Sequence, residues 1–261
     1  MSTTWPDAAP SLHITPGLAT ITLQRPGLRN SLNNLDLQTL IDHITCINAD
    51  PSIRAVVLQA HTQGMPRAVF SAGYHVAGLD EDVSAPNFFQ SVPDALCRMR
   101  PITICALNGS VYGGATDLVL ACDLVVAQQG MEWRMPACAL GLHYYASGLQ
   151  RYVQKLGLNL SQRAFLLGLG LPFEQLQATG LFHALTSDQD FEDQLQQVIH
   201  RVLAMAPSAV QSTKQSLLDV AHHAVDAEVL AAREKTSQDS ADFAEGRLAL
   251  QERRAPRFND R

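Results

Sequence analysis

The chain has 261 residues, 46% of them hydrophobic and only 17% charged, with a formal charge of −6. This length fits one or two domains with a substantial buried core. The negative balance argues against a sequence-independent nucleic-acid binder, which would carry a basic face.

Charged residues fall below the usual quarter, a sign of surface covered by other subunits. The stretch from Met1 to Pro10 has neither a basic n-region nor an apolar h-region, so no secretory signal is expected. No apolar run approaches the roughly 20 residues of a membrane span. The longest, Leu118 to Ala127, is interrupted by Asp123. The five cysteines (Cys46, Cys97, Cys105, Cys122 and Cys138) form no CxxC pair. They read as reduced thiols in a cytoplasmic protein, with no metal site.

Leu12 to Leu23 alternates apolar residues around Pro16-Gly17, the pattern of a hairpin. Asn34 to Ile47 has helical spacing, and Arg54 to Leu58 and Ala68 to Phe70 read as strands. Ile102 to Leu107 is another strand, a helix opens at Gly113-Gly114 and runs to Ala121, and Asp123 to Ala127 is strand-like. Strand-then-helix units of this length imply parallel sheet with crossover helices. From about residue 147 the pattern is helical: 148–156, 161–167, 172–177, 191–205, 208–224 and 229–250. The domain boundary is expected within 190–206, with 1–195 as the core and 196–261 as a helical region packing on the core and on neighbouring subunits. Residues 1–9 and 80–86 lack such patterns and are expected to be mobile.

Two stretches carry chemistry. In Asn108 to Ala127 a strand ends, two glycines follow and a helix begins, leaving backbone N–H groups without intrahelical partners. Gly113 and Gly114 let that backbone approach a ligand closely. Phe70 to His75 places small residues after a strand and exposes a further N–H, at Tyr74. Two such donors from two loops would form an oxyanion hole, each worth about 2.7–4 kcal/mol of transition-state stabilisation.

On these residues the chain resembles the crotonase (enoyl-CoA hydratase/isomerase) superfamily. The carriers are R-P-G-L-R-N-S-L-N at 25–33, A-V-F-S-A-G at 68–73, N-G-S-V-Y-G-G-A-T-D at 108–117 and A-C-D-L-V-V-A at 121–127. A-L-G-L at 139–142 and S-A-D-F-A-E-G-R-L-A-L-Q-E-R-R-A-P-R-F at 240–258 extend the likeness over nearly the whole chain. The resemblance implies an α/β fold, a ClpP/crotonase-like spiral of β-β-α units, with a C-terminal helical region that trimerises, often into hexamers. It implies an acyl-CoA thioester as substrate, no further cofactor and no metal, and no nucleic-acid or membrane partner. The thioester oxygen would rest on the N–H groups of Tyr74 and Gly114. Leu28, Ala72, Gly73, Tyr74, His75, Val76, Gly113, Gly114, Pro136 and Ala137 would line the substrate site.

The departures bear on the reaction. Hydratases of the family carry two glutamates, and at those two places this chain has Asp117 and Ala137. Syn hydration needs one group to activate water and another to handle the α-proton, so one of the pair is lost. Asp117 is also one methylene shorter than glutamate, about 1.5 Å of reach. Within the family the motifs are most like methylmalonyl-CoA decarboxylase, with a tyrosine context matching Leu140 to Tyr144. Decarboxylation reaches the enolate without a base. On that likeness Asp117 and Tyr144 are the candidate catalytic side chains, with Tyr145 competing for the tyrosine role. Where the decarboxylase has His-Asp after Ala-Gly, this chain has Tyr74-His75. The alternatives are a hydratase or isomerase in which Asp117 works with a substitute such as His143 or Tyr144, and a non-catalytic acyl-CoA-binding paralogue.

Overall fold

The computed structural model describes residues 7–75 and 88–259. Strands β1 (Ala8–Thr15) and β2 (Leu18–Gln24) pair antiparallel around Pro16-Gly17, with Gly17 at φ 79°. Ala8 and Ala9 therefore sit in a strand, whereas the expected mobile segment 80–86 and Val76 lie outside the described residues. Helix α1 (Asn34–Ala49) opens on a reciprocal capping box between Asn33 and Asp36 and buries Leu37, Leu40, Ile44 and Ile47.

Three β-β-α units follow. They are β3 (Ala55–Ala60), β4 (Val69–Ser71) and α2 (Phe88–Cys97); β5 (Ile102–Leu107), β6 (Ser110–Tyr112) and α3 (Ala115–Ala121); then β7 (Leu124–Gln128), β8 (Glu132–Arg134) and α4 (Ala146–Leu166). The first strand of each unit joins a six-stranded sheet of order β1-β2-β3-β5-β7-β10, where β10 is Ala184–Thr186. The second strand joins a four-stranded sheet of order β4-β6-β8-β9, where β9 is Leu171–Pro172. Every pairing between units is parallel. This is the expected spiral of the crotonase fold.

Strand β5 is buried along its whole length because both of its faces are covered. Cys105 and Leu107 point into the main core. Ile104 and Ala106 point the other way, under Leu195, Val198 and Ile199 of α6 (Phe191–Leu203). Helix α6 thus crosses the expected boundary at 195 and packs on the sheet.

The ends of several elements depart from the expected pattern, each for a local reason. The two helices expected at 148–156 and 161–167 are both present and meet within α4 at Gly157, whose φ of 76° and ψ of 161° are not helical and break the run. The single helix expected at 229–250 is two, α8 (Ala227–Gln238) and α9 (Ala241–Glu252), because the Ser240 side chain caps the Phe243 N–H and starts a new helix. Between these and α6 lie α5 (Phe173–Gln177), which precedes β10, and α7 (Pro207–Ala221). Leu217 on α7, Val229 on α8 and Phe243, Leu248 and Leu250 on α9 are all exposed.

One buried residue knits the loop after β2 to the second sheet. Asn30 is 1% exposed and adopts a left-handed φ of 51°, which asparagine tolerates better than most residues. Its amide donates to the His61 and Val69 carbonyls at 3.0 and 3.1 Å, and its side-chain oxygen accepts from the Arg25 N–H at 2.9 Å. Asn30→Ala strands those three partners and strains the turn. We expect it to cost about 1–3 kcal/mol, read as a lower denaturant midpoint at unchanged m-value; an unshifted midpoint would show that the knot is idle.

Candidate active site

The two candidate donors leave neighbouring strands of the four-stranded sheet. Because β4 and β6 are parallel neighbours, the segments at their C-terminal ends run side by side. Past β4, Leu32 forms an isolated parallel bridge with Tyr74. The Leu32 N–H donates to the Gly73 carbonyl at 2.9 Å, and its carbonyl accepts from the His75 N–H at 2.9 Å. In that pattern the flanked residue turns its own N–H to the opposite side, and the Tyr74 N–H has no partner among the described residues. Past β6, the Gly113 N–H donates to the Arg134 carbonyl at 2.9 Å, while the Gly114 N–H is likewise without a partner.

Glycine at 73 lets these segments touch. Its φ is 88°, and a Cβ there would fall 2.6 Å from the Tyr112 carbonyl oxygen and 3.1 Å from the Gly114 nitrogen. No side chain fits. The Gly113 turn, at φ 55°, is held from behind. The Thr116 hydroxyl donates its single proton to the Gly113 carbonyl at 2.6 Å, so the buried Tyr152 hydroxyl, 2.5 Å from Thr116 Oγ1, is the donor in that pair.

Asp117, fully buried on α3, is not a free carboxylate. Arg151 of α4 grips it in bidentate fashion, Nε to Oδ1 and Nη2 to Oδ2, both at 2.7 Å. Tyr145 donates a short hydrogen bond to Oδ2. The remaining guanidinium nitrogen, Nη1, donates to Asp94 Oδ1 of α2 at 2.7 Å. One cation therefore bridges two carboxylates, and the three groups carry a net charge of −1 when ionised. Burial lowers the Arg151 pKa, but the bonds to Asp117 outweigh it and hold the guanidinium charged. Burial raises the Asp94 pKa, yet the hydrogen bond and charge of Arg151 bring it below the usual carboxylate range.

Tyr144 is 7% exposed and donates its only proton to the Tyr145 oxygen at 3.1 Å. Its ring stacks on Tyr145 and packs against Tyr152 and Phe165, facing the core. Tyr145, not Tyr144, touches Asp117 and borders Phe89, at 6.5 Å between ring centroids. Burial, and then the charge of Asp117, pushes both phenols well above their ordinary pKa, so both stay protonated.

The other expected substrate-site residues surround the donors unevenly. Leu28 is exposed on the turn after β2, and the neighbouring Arg29 carbonyl accepts from the Ala72 N–H at 2.9 Å. His75 is exposed and Pro136 half-buried. Ala137 is buried, with its carbonyl taken by the N–H groups of Leu140 and Leu142. His143 is exposed. The basic run near the C-terminus is partly spent within the chain, since Arg254 pairs with Glu245 and Glu252. Among the described residues no group of three or more His, Cys, Asp or Glu side chains is placed to hold a metal ion, and no helix is long and apolar enough to cross a membrane.

Sequence reasoning missed Arg151, Asp94 and Phe89. For Arg151 a signal existed. Gly148, Arg151 and Tyr152 share the i, i+3, i+4 spacing of a buried helix face, and a charge on such a face needs a buried partner.

The enoyl-CoA hydratase/isomerase family model matches residues 13–261. A 2,3-dehydroadipyl-CoA hydratase of Escherichia coli K12 is 29% identical over 92% of this chain and 94% of its own. A methylmalonyl-CoA decarboxylase of the same organism is 26% identical over 88% and 89%. The crystal structure of an enoyl-CoA hydratase from Bacillus anthracis superposes with a TM-score of 0.86 at 22% identity, covering 97% of this chain and 100% of that one.

Removing the cation that joins the two carboxylates has a clear consequence. Arg151→Met leaves Asp117 buried and Asp94 half-buried without their shared cation, and we expect it to destabilise the protein by about 3–5 kcal/mol at neutral pH. Because the folded-state pKa of Asp94 is depressed, its contribution is present above the ordinary carboxylate pKa and is lost as pH falls through the folded value. The variant's deficit should therefore narrow in acid. Thermal unfolding of both proteins across the acid range tests this, and a deficit independent of pH would refute it.

Proposed function

The chain belongs to the enoyl-CoA hydratase/isomerase family, and on that premise we propose that it decarboxylates a malonyl-type acyl-CoA through a thioester enolate. The observation that carries this reading is the state of the acid pair. The Asp117 carboxylate is occupied by Arg151 and Tyr145, and position 137 holds an alanine. Among the described residues, neither of the two positions where the family carries its acids thus offers a free carboxylate to serve as base beside the unspent amides of Tyr74 and Gly114.

Decarboxylation suits that arrangement. The substrate carboxylate leaves as CO2 when its bond to the α-carbon breaks, and that electron pair becomes the enolate. Negative charge moves from the carboxylate to the thioester oxygen, where the amides of Tyr74 and Gly114 donate. Those donors gain strength as charge develops, so they lower the barrier rather than merely tighten substrate binding. A proton from water then reaches the α-carbon and completes the acyl-CoA product. Asp117 orients Tyr145, which in turn accepts from Tyr144, so Asp117 and Tyr144 shape the wall of the pocket. Leu28, Ala72, Gly73, His75, Gly113, Pro136 and Ala137 contribute the substrate cradle, with Val76 beyond the described residues. No cofactor takes part.

The exposed apolar side chains of α7, α8 and α9 fit burial against further copies, and the assembly we infer is a trimer or a dimer of trimers. Light scattering in solution should return three or six chain masses, and a monomer would refute it.

The reaction is tested with malonyl-CoA, methylmalonyl-CoA and crotonyl-CoA side by side. The expected outcome is CO2 release from the first two and negligible hydration of the third. Faster hydration of crotonyl-CoA would overturn the decarboxylase reading in favour of a hydratase that recruits Asp117. Binding without any turnover would mark a non-catalytic acyl-CoA-binding protein. Gly114→Pro removes one donor at a φ of −57° that proline accepts. Made together with Phe89→Ala, which frees room for the ring, it should lower kcat by about 100- to 1,000-fold relative to Phe89→Ala alone.

A further inference from the structure

Glycine at 114 is required by a neighbour as well as by the ligand. A Cβ built there would lie 2.6 Å from Cζ and 2.8 Å from Cε1 of Phe89, the second residue of α2. The outer edge of this ring therefore rests on the α-carbon of the residue whose N–H is unspent. The ring is half-buried and stands between two others, with centroids 5.8 Å from Tyr74 and 6.5 Å from Tyr145. Each neighbour is itself pinned. The Tyr74 hydroxyl donates to Asn34 Oδ1 at 2.5 Å, and Tyr145 is held on Asp117. The flanking rings cannot swing away without breaking those bonds, so Phe89 is wedged in place.

The geometry points to Phe89 as the residue that sets acyl size: its ring, clamped between Tyr74 and Tyr145, closes the space beside the Gly114 amide and restricts the site to short acyl groups. This rests on the proposed acyl-CoA site. An acyl group whose carbonyl oxygen sits on the Tyr74 and Gly114 amides must pass its α- and β-carbons close to the Phe89 edge. A malonyl or propionyl unit ends there, whereas a longer chain has to displace the ring. Replacing that ring by a methyl group opens an apolar channel walled by aromatic faces, which favours alkyl chains. Each methylene newly accommodated in an apolar pocket is worth about 10-fold or more in discrimination.

Binding, not turnover, is the readout, so that this assignment stands or falls apart from the reaction. Dissociation constants for propionyl-CoA and octanoyl-CoA are measured by calorimetry on the wild type, Phe89→Ala, Phe89→Leu and Phe89→Trp, each checked for a cooperative melt. The wild type is expected to favour propionyl-CoA by at least about 10-fold. Phe89→Ala should reverse or erase that preference, Phe89→Leu should shift it in the same direction by less, and Phe89→Trp should sharpen it. Because three substitutions of graded volume are compared, loss of folding in one leaves the trend readable in the others. Equal affinity of the wild type for both thioesters, or a preference unmoved in every folded variant, overturns the role given to Phe89 while leaving the acyl-CoA reading intact. Failure of the wild type to bind either thioester removes the acyl-CoA reading, and the Phe89 assignment with it.

Discussion

The bidentate contact between Arg151 and Asp117 is the constraint from which the site takes its form. It joins α3, which follows the Gly113-Gly114 turn, to α4, which carries the aromatic wall, and through Asp94 it reaches α2. A carboxylate this deeply buried is tolerable only when paired. Once paired, both of its oxygens are engaged, by Arg151 and by Tyr145. The same carboxylate holds Tyr145, and through it Tyr144, so one ion pair anchors the tyrosine pair as well as two helices.

The donors, by contrast, owe their position to sheet topology. Each spiral unit sends its second strand into the smaller sheet, so β4 and β6 become parallel neighbours although 38 residues separate Ser71 from Ser110. Asn30 ties the loop after β2 to the same edge, and Leu32 absorbs the hydrogen bonds on one side of Tyr74. What remains is a pair of amides with no partner among the described residues, while Leu32 and the Arg134 carbonyl take up the hydrogen bonds of the residues beside them. Left-handed glycines at 73 and 113 allow the close approach.

In the reaction we propose, charge collects on an oxygen and the described residues offer no free carboxylate at position 117 or 137, so the substrate carries its own leaving electrons. Hydration would require a second acid where Ala137 now stands. Phe89 and its flanking tyrosines narrow the space beside the donors, in keeping with a compact acyl group. Near the C-terminus, Arg254 pairs with Glu245 and Glu252 at the end of α9.

Local pattern was enough to place most strands and helices of the larger sheet, and β4 and α3 beside the site, but not the short strands β6 and β8. The hairpin, β3, β5 and β7 follow from runs of apolar residues, and the glycine pair between a strand and a helix identifies a turn with unspent amides. The substitutions at 117 and 137 are likewise visible in the residues themselves. Helix α2 escaped notice because its pattern is short and carries Pro93 inside it, and the break at Ser240 was hidden by apolar spacing that continues across it. Tertiary structure alone decided whether Asp117 is available. Its partners lie 28 and 34 residues away, Tyr145 at the cap of α4 and Arg151 within it, and although the buried face of α4 shows that Arg151 needs a partner, nothing in the order of residues identifies Asp117 as that partner. The same holds for Phe89 over Gly114, since which ring covers a backbone amide is set by how two helices pack and not by the order of residues within either.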